Sequence, residues 1–297
     1  MDLDIAVDSE DTGVMTGMFS LFLKSSDSKD FVQVPNLFVS SQSVSRFSSG
    51  AGKFGAAGYI TTKDASFTGV AVSLDKGASF QTYDIATNST EYPARYGAFP
   101  TDSTWYVSTG TWPIDDLTLT ANKHSYRLSQ HITVNQNSHK FHPLSAINVG
   151  EGLYTGNIMK TTDGGNTFTE VLNTKGMYYF NAISCADANN CVAVAENGDS
   201  AVGYRTSDGG ANWEMVVTPE MNGQGVSMMS CYMISATEYW LGGGEMGKTG
   251  YFWHGVGDAK PVLSTLKMTY ATDMNFDGDV GYAAVLGLQT CGCAKYA

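Results

Sequence analysis

Three short segments of this chain repeat one pattern, (S/T)-x-D-x-G-x-x-(F/W), at residues 73–80, 161–168 and 206–213. The aspartates of the second and third copies, Asp163 and Asp208, lie 45 residues apart. Asp75 of the first copy precedes Asp163 by 88 residues, which is close to twice that spacing. Self-similarity at a fixed period of about 45 residues predicts a repeat architecture, and β-rich units of this length are typical of a propeller.

A second periodic feature, a polar turn followed by a short apolar strand, runs beside the octapeptides. Its seven instances are residues 11–17, 57–61, 102–107, 150–156, 189–194, 236–242 and 278–285. No long segment carries apolar residues at the helical spacing i, i+3, i+4 and i+7, so helices should be minor. We therefore predict an all-β fold, a seven-bladed β-propeller of four-stranded blades that forms a single domain over residues 1–297.

The same register makes two further predictions. Degenerate copies of the octapeptide should lie near residues 26–29, 121–126 and 253–255. The chain ends before an eighth copy could form, so the last blade should lack a strand of its own. Residues 3–7 are predicted to supply it, so that pairing of the N- and C-terminal strands closes the ring and hides exposed sheet edges.

The octapeptide has a local folding role that needs no catalytic function. Its aspartate can accept hydrogen bonds from backbone N–H groups of its own turn. Its glycine permits a positive φ angle, and its aromatic residue can wedge between neighbouring sheets. The residues given these roles are Asp75, Asp163 and Asp208; Gly77, Gly165 and Gly210; and Phe80, Phe168 and Trp213.

Composition excludes several classes of function. The net charge is −12 with only 17 Lys and Arg, which argues against nucleic-acid binding and against attraction to anionic lipid. No apolar stretch is long enough to span a membrane, and the first residues lack the basic and apolar regions of a signal peptide. We expect no cofactor.

The octapeptide resembles the Asp-box, or BNR repeat, of sialidases and related propellers. Together with the turns at residues 277–285 and 11–17, it gives the chain a resemblance to the photosystem II stability/assembly factor family. That resemblance implies a non-enzymatic scaffold in or near the thylakoid lumen, with subunits of a membrane complex as its protein partner. Family members are thought to use an arginine-rich patch. The arginines here are scattered, at Arg46, Arg95, Arg127 and Arg205.

A carbohydrate-active propeller, either lectin or glycoside hydrolase, is the alternative. Sialidase chemistry needs three arginines, a Tyr–Glu pair and an aspartic acid, and the early (F/Y)-R-I-P motif that supplies the first arginine is absent. Other glycosidases need only two carboxylates across a cleft, which the sequence does not single out. In a sugar-binding protein, exposed tryptophans would stack on the ligand, and the candidates are Trp105, Trp112, Trp240 and Trp253.

The cysteines favour an oxidising compartment. Cys185 and Cys191 flank a tight polar turn, and we predict a hairpin disulfide between them, with two reduced thiols as the alternative. Five cysteines leave at least one unpaired. Cys231 is left to pair with Cys291 or Cys293 or to stay free.

One segment resembles the first half of a calcium loop, D-x-N-x-D-G. Its candidate ligands are Asp273, Asn275, Asp277 and Asp279. The twelfth position of such a loop, where a bidentate carboxylate belongs, falls on Ala284. The segment also coincides with the seventh repeat turn, which explains its polarity without a metal.

Overall fold

The computed structural model describes residues 3–8, 11–17, 21–27, 29–87, 92–111, 154–245, 248–267, 271–277, 280–286 and 291–296. Within these ranges the chain folds into successive antiparallel sheets, with one short helix, α1 (Pro219–Asn222). The prediction of an all-β propeller with four-stranded blades is confirmed. We number the blades 1 to 6 in chain order.

Each blade is an antiparallel meander of consecutive strands. Blade 1 contains β1 (Leu3–Val7), β2 (Gly13–Gly17), β3 (Leu21–Ser25) and β4 (Val32–Gln33). Blade 2 contains β5 (Leu37–Arg46), β6 (Phe54–Thr62), β7 (Ser66–Ser73) and β8 (Gln81–Asp84). Blade 3 contains β9 (Ala94–Ala98), β10 (Trp105–Thr109), β11 (Asn157–Thr161) and β12 (Thr169–Asn173).

The second half of the chain repeats this plan. Blade 4 contains β13 (Tyr179–Cys185), β14 (Cys191–Glu196), β15 (Ala201–Thr206) and β16 (Glu214–Val217). Blade 5 contains β17 (Ser227–Met233), β18 (Glu238–Glu245), β19 (Thr249–Val256) and β20 (Val262–Lys267). Blade 6 has three described strands, β21 (Ala271–Asp277), β22 (Val280–Leu286) and β23 (Cys291–Tyr296).

Buried apolar side chains join each blade to the next, because successive residues of a strand point to opposite faces of its sheet. Between blades 1 and 2 the core includes Val14, Phe22 and Ile60, all fully buried. Four further clusters lie between blades 2 and 3, 3 and 4, 4 and 5, and 5 and 6. The first strand of each blade lies innermost, and hydrogen bonds join several of these strands around the axis.

The described residues form six blades where the turn count predicted seven. The predicted turns at 102–107 and 150–156 belong to one blade, because β10 and β11 pair directly, with Val107 opposite Met159. A bridge between Thr111 and Thr155 extends this pairing. Residues 112–153 therefore connect two adjacent strands of blade 3. The length of this segment is close to one repeat of about 45 residues. The repeat spacing therefore predicted a separate blade for it.

The predicted closure by the N-terminal strand is also corrected. β1 pairs with β2 as the innermost strand of blade 1 and does not complete blade 6. The carboxylate of Asp8 accepts hydrogen bonds from the Thr12 backbone N–H, at 3.0 Å, and from the Thr12 hydroxyl, at 2.6 Å. These bonds stabilise a tight β1–β2 hairpin. A local hairpin costs less chain entropy than pairing across the whole sequence.

The degenerate octapeptides have three different outcomes. At residues 26–29 the prediction holds, because Asp27 accepts hydrogen bonds from the Ser25 hydroxyl and the Lys29 backbone N–H. Residues 253–255 lie inside β19, and the turn follows them at residues 257–259. Residues 121–126 lie outside the described residues.

Candidate functional site

The three octapeptides fold into nearly identical turns. In the second, Asp163 accepts hydrogen bonds from the Thr161 hydroxyl, at 2.8 Å, and from the Thr167 backbone N–H, at 2.9 Å. Its other oxygen accepts from the Thr167 hydroxyl at 2.7 Å. The Thr167 hydroxyl and backbone bonds, followed by the bond from Thr161, lower the pKa of Asp163 to about 2. Asp75 and Asp208 make equivalent contacts.

The glycines and aromatic residues of the octapeptides lie where their predicted roles require. Gly77, Gly165 and Gly210 have φ angles of 75°, 91° and 84°. Phe80 packs edge-on against Phe22 of blade 1, with ring centroids 4.9 Å apart. Phe168 packs against the cluster between blades 2 and 3, and Trp213 packs against the one between blades 3 and 4. The octapeptides therefore hold neighbouring blades together.

A set of cations between blades was not anticipated from the sequence. Lys24 of blade 1 donates to the Gly77 carbonyl of blade 2 at 2.7 Å. Lys160 of blade 3 donates to the Gly209 carbonyl of blade 4 at the same distance. Arg205 of blade 4 donates to the Gly257 carbonyl of blade 5, also at 2.7 Å. The sequence could have indicated these contacts. Each of the three basic residues directly precedes the Ser or Thr that begins an octapeptide or its degenerate copy.

The three described arginines do not form one patch. Arg95 is buried near the axis, where its Nε donates to the Phe180 carbonyl at 2.7 Å and its Nη2 donates to Asn181 at 3.1 Å. Arg205 is the buried inter-blade cation described above, and Arg46 is exposed at the end of β5. Arg127 lies outside the described residues.

Three of the four tryptophans proposed for sugar stacking are described, and all three are buried. Trp105, Trp240 and Trp253 are buried in three different inter-blade clusters. Trp112 lies outside the described residues. The three described rings therefore serve inter-blade packing, and they are not exposed for stacking on a sugar.

A Tyr–Glu pair of the kind that sialidase chemistry requires does occur, near the axis. The Tyr179 hydroxyl donates to Glu196 at 2.5 Å, and the guanidinium of Arg95 lies 5.1 Å from the centroid of the Tyr179 ring. Both Tyr179 and Glu196 are buried, so a substrate cannot reach them without rearrangement. The contact is therefore a buried link between β13 and β14.

The predicted disulfide between Cys185 and Cys191 is present, and the two residues are direct partners in the β13–β14 hairpin. Such a bond is typical of proteins from oxidising compartments. Cys231 is a buried free thiol, and burial raises its pKa. The side chains of Cys291 and Cys293 lie outside the described residues.

The predicted calcium segment does not form a loop. Asp273, Asn275 and Asp277 lie on β21, where each pairs with a residue of β22. An extended strand spaces such side chains along its length and cannot wrap them around one ion. Asp279 lies outside the described residues. In the described part of the chain, no three His, Cys, Asp or Glu side chains cluster as metal ligands.

The charge of a carboxylate from the other end of the sequence, Asp4 on β1, acts on Asp273. Asp4 accepts hydrogen bonds from the backbone N–H of Val44, at 2.7 Å, and from that of Ile5, at 2.9 Å. Desolvation raises the pKa of Asp4 despite these bonds. Asp273 is solvent-exposed, and desolvation by the protein around it, followed by the charge of Asp4, raises its pKa to about 7.

The sheet faces of blades 1 and 6 that the five apolar clusters leave uncovered form a seam between these two blades, and Asp273 lies on the blade 6 side of it, opposite Ala284. Ala6 and Ala283 pack into the neighbouring clusters, so Ile5 and Tyr282 point to the opposite faces of their sheets. Ile5 is 48% exposed and Tyr282 is 45% exposed. Among the described residues, no buried apolar cluster joins blade 6 to blade 1. We call this surface, formed by Ile5, Met15, Tyr282 and Ala284, the seam.

No described helix is both long enough and apolar enough to cross a membrane. Comparison with known proteins finds no matching family model, and no curated protein is similar in sequence.

Solved structures do match. YCF48 bound to D1 peptide has a TM-score of 0.53 at 11% identity, over 99% of this chain and 79% of that one. An ancestral GH74 enzyme has a TM-score of 0.56 at 15% identity, over 95% of this chain and 37% of the enzyme. The GH74 xyloglucanase from Xanthomonas campestris has a TM-score of 0.53 at 15% identity, over 95% and 42%. The chain thus spans less than half of either GH74 protein, and likeness at these identities shows the propeller fold alone.

Proposed function

We propose that this chain is a non-enzymatic propeller that binds a protein partner, and that an extended segment of the partner docks at the seam. The observation that carries the proposal is the pair of solvent-exposed apolar side chains, Ile5 and Tyr282, on two sheet faces that every other pair of neighbouring blades buries. Surface of this kind, bordered by polar groups, is typical of interaction sites.

The edge of blade 6 supports an extended partner segment. Among the described residues, β23 pairs with β22 and with no other strand. A sheet edge offers backbone N–H and C=O groups to an incoming strand, and many peptide-binding domains use this mode. A peptide paired with β23 would extend the sheet of blade 6 by one strand.

The comparisons support a protein ligand. YCF48, a propeller of similar fold, was solved with a bound D1 peptide. The resemblance to photosystem II assembly factors and the Cys185–Cys191 disulfide are consistent with a partner in a membrane complex. We place this interaction in an oxidising compartment, such as the thylakoid lumen or the cell exterior.

The test is affinity capture from the native source in mild detergent, with mass spectrometry of the proteins that co-purify. We expect Tyr282→Lys to lose the partner, because the substitution places a charge in the apolar seam. Tyr59→Lys is the matched control, since Tyr59 is also 45% exposed but lies on blade 2. Retention of every co-purifying protein by Tyr282→Lys, or equal loss by both variants, would contradict the proposal.

A carbohydrate-active propeller is the second candidate, and the observation in its favour is the raised pKa of Asp273, to which the charge of Asp4 contributes. Two carboxylates with unequal surroundings can serve as the acid and base of a glycosidase. The test is release of reducing sugar from xyloglucan and other β-glucans by the wild-type chain and by Asp273→Asn. If the wild-type chain hydrolyses one of these substrates and the Asp273→Asn variant does not, the chain is an enzyme.

A further inference from the structure

The groove between blades 1 and 2 contains a cavity of about 270 Å³. Its origin lies in the short fourth strand of blade 1. β4 has two residues, whereas β8, β12, β16 and β20 have four, five, four and six. After the Val34 backbone N–H donates to the Phe22 carbonyl at 3.0 Å, the chain crosses to β5 through Pro35 and Asn36. The cavity lies between this crossing and the start of β8.

One wall of the cavity carries a positive charge that no acidic side chain neutralises. The Lys24 ammonium group donates to the Gly77 carbonyl at 2.7 Å and lies 3.5 Å from the Ala78 carbonyl oxygen. Both oxygens are neutral, and among the described residues no Asp or Glu forms an ion pair with Lys24. An ammonium group has three N–H donors, so Lys24 can bond a ligand while it holds blade 2. This wall therefore favours a negatively charged group.

The remaining walls suit a ring that carries hydroxyl groups. The Asn36 amide and the Thr82 hydroxyl line the cavity, and neither makes a hydrogen bond to a described residue. Each offers both a donor and an acceptor. Pro35 and Phe80 supply apolar surface, and the Phe80 ring is fixed edge-on against Phe22, with centroids 4.9 Å apart. Such surface can contact the C–H face of a sugar ring.

The composition of the lining limits the chemistry of the ligand. No Asp or Glu is among the described residues that line the cavity, so an amino acid would find no partner for its ammonium group. One lysine matches one charged group, whereas a di- or triphosphate needs several donors. The volume is small for a ligand site and suits a single sugar ring.

We propose that this cavity binds a sugar acid of the hexuronate class, with its carboxylate at Lys24, its hydroxyl groups at Asn36 and Thr82, and its ring against Phe80. The shared chemistry is that of a free sugar acid or of the terminal residue of an acidic oligosaccharide. The site lies away from the seam and is separate from the protein partner proposed above. It binds its ligand without hydrolysing it, because no carboxylate pair lines the described cavity.

The test uses the isolated full chain and three sugars. Galacturonate, its neutral counterpart galactose, and trigalacturonate are titrated into the chain, and saturation-transfer NMR and calorimetry measure binding. We expect saturable binding of galacturonate and binding of galactose at least about tenfold weaker, because galactose lacks the charged group that Lys24 bonds. Tighter binding of trigalacturonate would identify the terminal residue of an oligosaccharide as the ligand, and equal affinity would identify the free sugar acid.

Variants assign the site. Lys24→Met should weaken galacturonate binding at least about tenfold. Lys160→Met is the matched control, because Lys160 makes the same kind of inter-blade bond, to the Gly209 carbonyl, in another groove. Asn36→Gly removes the amide and keeps the backbone, since glycine readily adopts the φ angle of 57° found there. Asn36→Gly and Thr82→Val should each weaken galacturonate binding, and Lys160→Met should leave it unchanged.

Thermal unfolding of each variant without sugar separates loss of the fold from loss of binding. Lys24→Met and Lys160→Met should lose similar stability, since each removes one bond between blades. Absence of galacturonate binding by the wild type would overturn the proposal, and so would galactose binding of equal strength. Equal loss of binding by Lys24→Met and Lys160→Met, or full binding by both Asn36→Gly and Thr82→Val, would also contradict it.

Discussion

At the scale of single residues, the octapeptides show how one carboxylate can hold a turn without any catalytic role. Asp163 is exposed, yet three hydrogen bonds from Thr161 and Thr167 engage its two oxygens. The protonated acid accepts such bonds poorly, so the turn favours the ionised form and lowers the pKa of Asp163. Stability and ionisation are therefore linked at this position.

The linkage predicts an acid-sensitive contribution to stability. The folded-state pKa of Asp163, about 2, lies below its ordinary value of 3.8, so the stabilisation is present above that value and is lost as pH falls through the folded-state pKa. We expect Asp163→Ala to lower the urea midpoint at neutral pH, and the difference from wild type to shrink between about pH 4 and 2. Asp64→Ala, at an exposed hairpin, should show no such trend.

The inter-blade cations give a second prediction at this scale. Lys160→Met keeps most of the aliphatic side chain and removes the bond to the Gly209 carbonyl. We expect a loss of about 1 to 2 kcal/mol in the free energy of unfolding, measured in urea, because a hydrogen bond from a charged donor is lost and a buried carbonyl is left without it. Lys63→Met, at an exposed lysine, should change the free energy little.

At the scale of elements, the β13–β14 hairpin is fixed by its disulfide as well as by its strand pairing. The Cys185→Ala/Cys191→Ala double variant should lose about 2 kcal/mol of stability, the value expected for closing a short loop in the unfolded chain. Thermal unfolding with and without reductant measures it. Reductant should destabilise the wild type and Cys231→Ala alike and leave the double variant unaffected.

Another element-scale prediction concerns residues 112–153. Because β10 and β11 pair directly and Thr111 bridges Thr155, replacing 112–153 by a short Asn-Gly turn should leave a blade that can still form its hairpin. We expect a soluble chain with a cooperative thermal transition and an intact near-ultraviolet circular dichroism spectrum. Loss of the cooperative transition would show that these residues are an integral blade of the ring.

At the scale of the whole molecule, five apolar clusters join the six described blades in series, and no such cluster of described residues joins the last blade to the first. A linear stack of this kind is weakest where the series ends, since only neighbouring units stabilise each other. The proposed docking surface lies at this end of the series. Partner capture tests the apolar surface of the seam through Tyr282.

The sequence by itself determined the class of fold, because the octapeptide and its turn are local features whose hydrogen bonds involve residues two to four positions apart. The same is true of the Cys185–Cys191 hairpin. Tertiary structure alone decided the number of described blades, since a period cannot distinguish a repeat from an insertion of similar length. It also decided which strand β1 pairs with, because the short apolar sequence of β1 is compatible with pairing either in blade 1 or in the last blade. The exposure of Ile5 and Tyr282 was likewise decided by tertiary structure, because it depends on which sheet faces the neighbouring blades cover, and no local pattern encodes that.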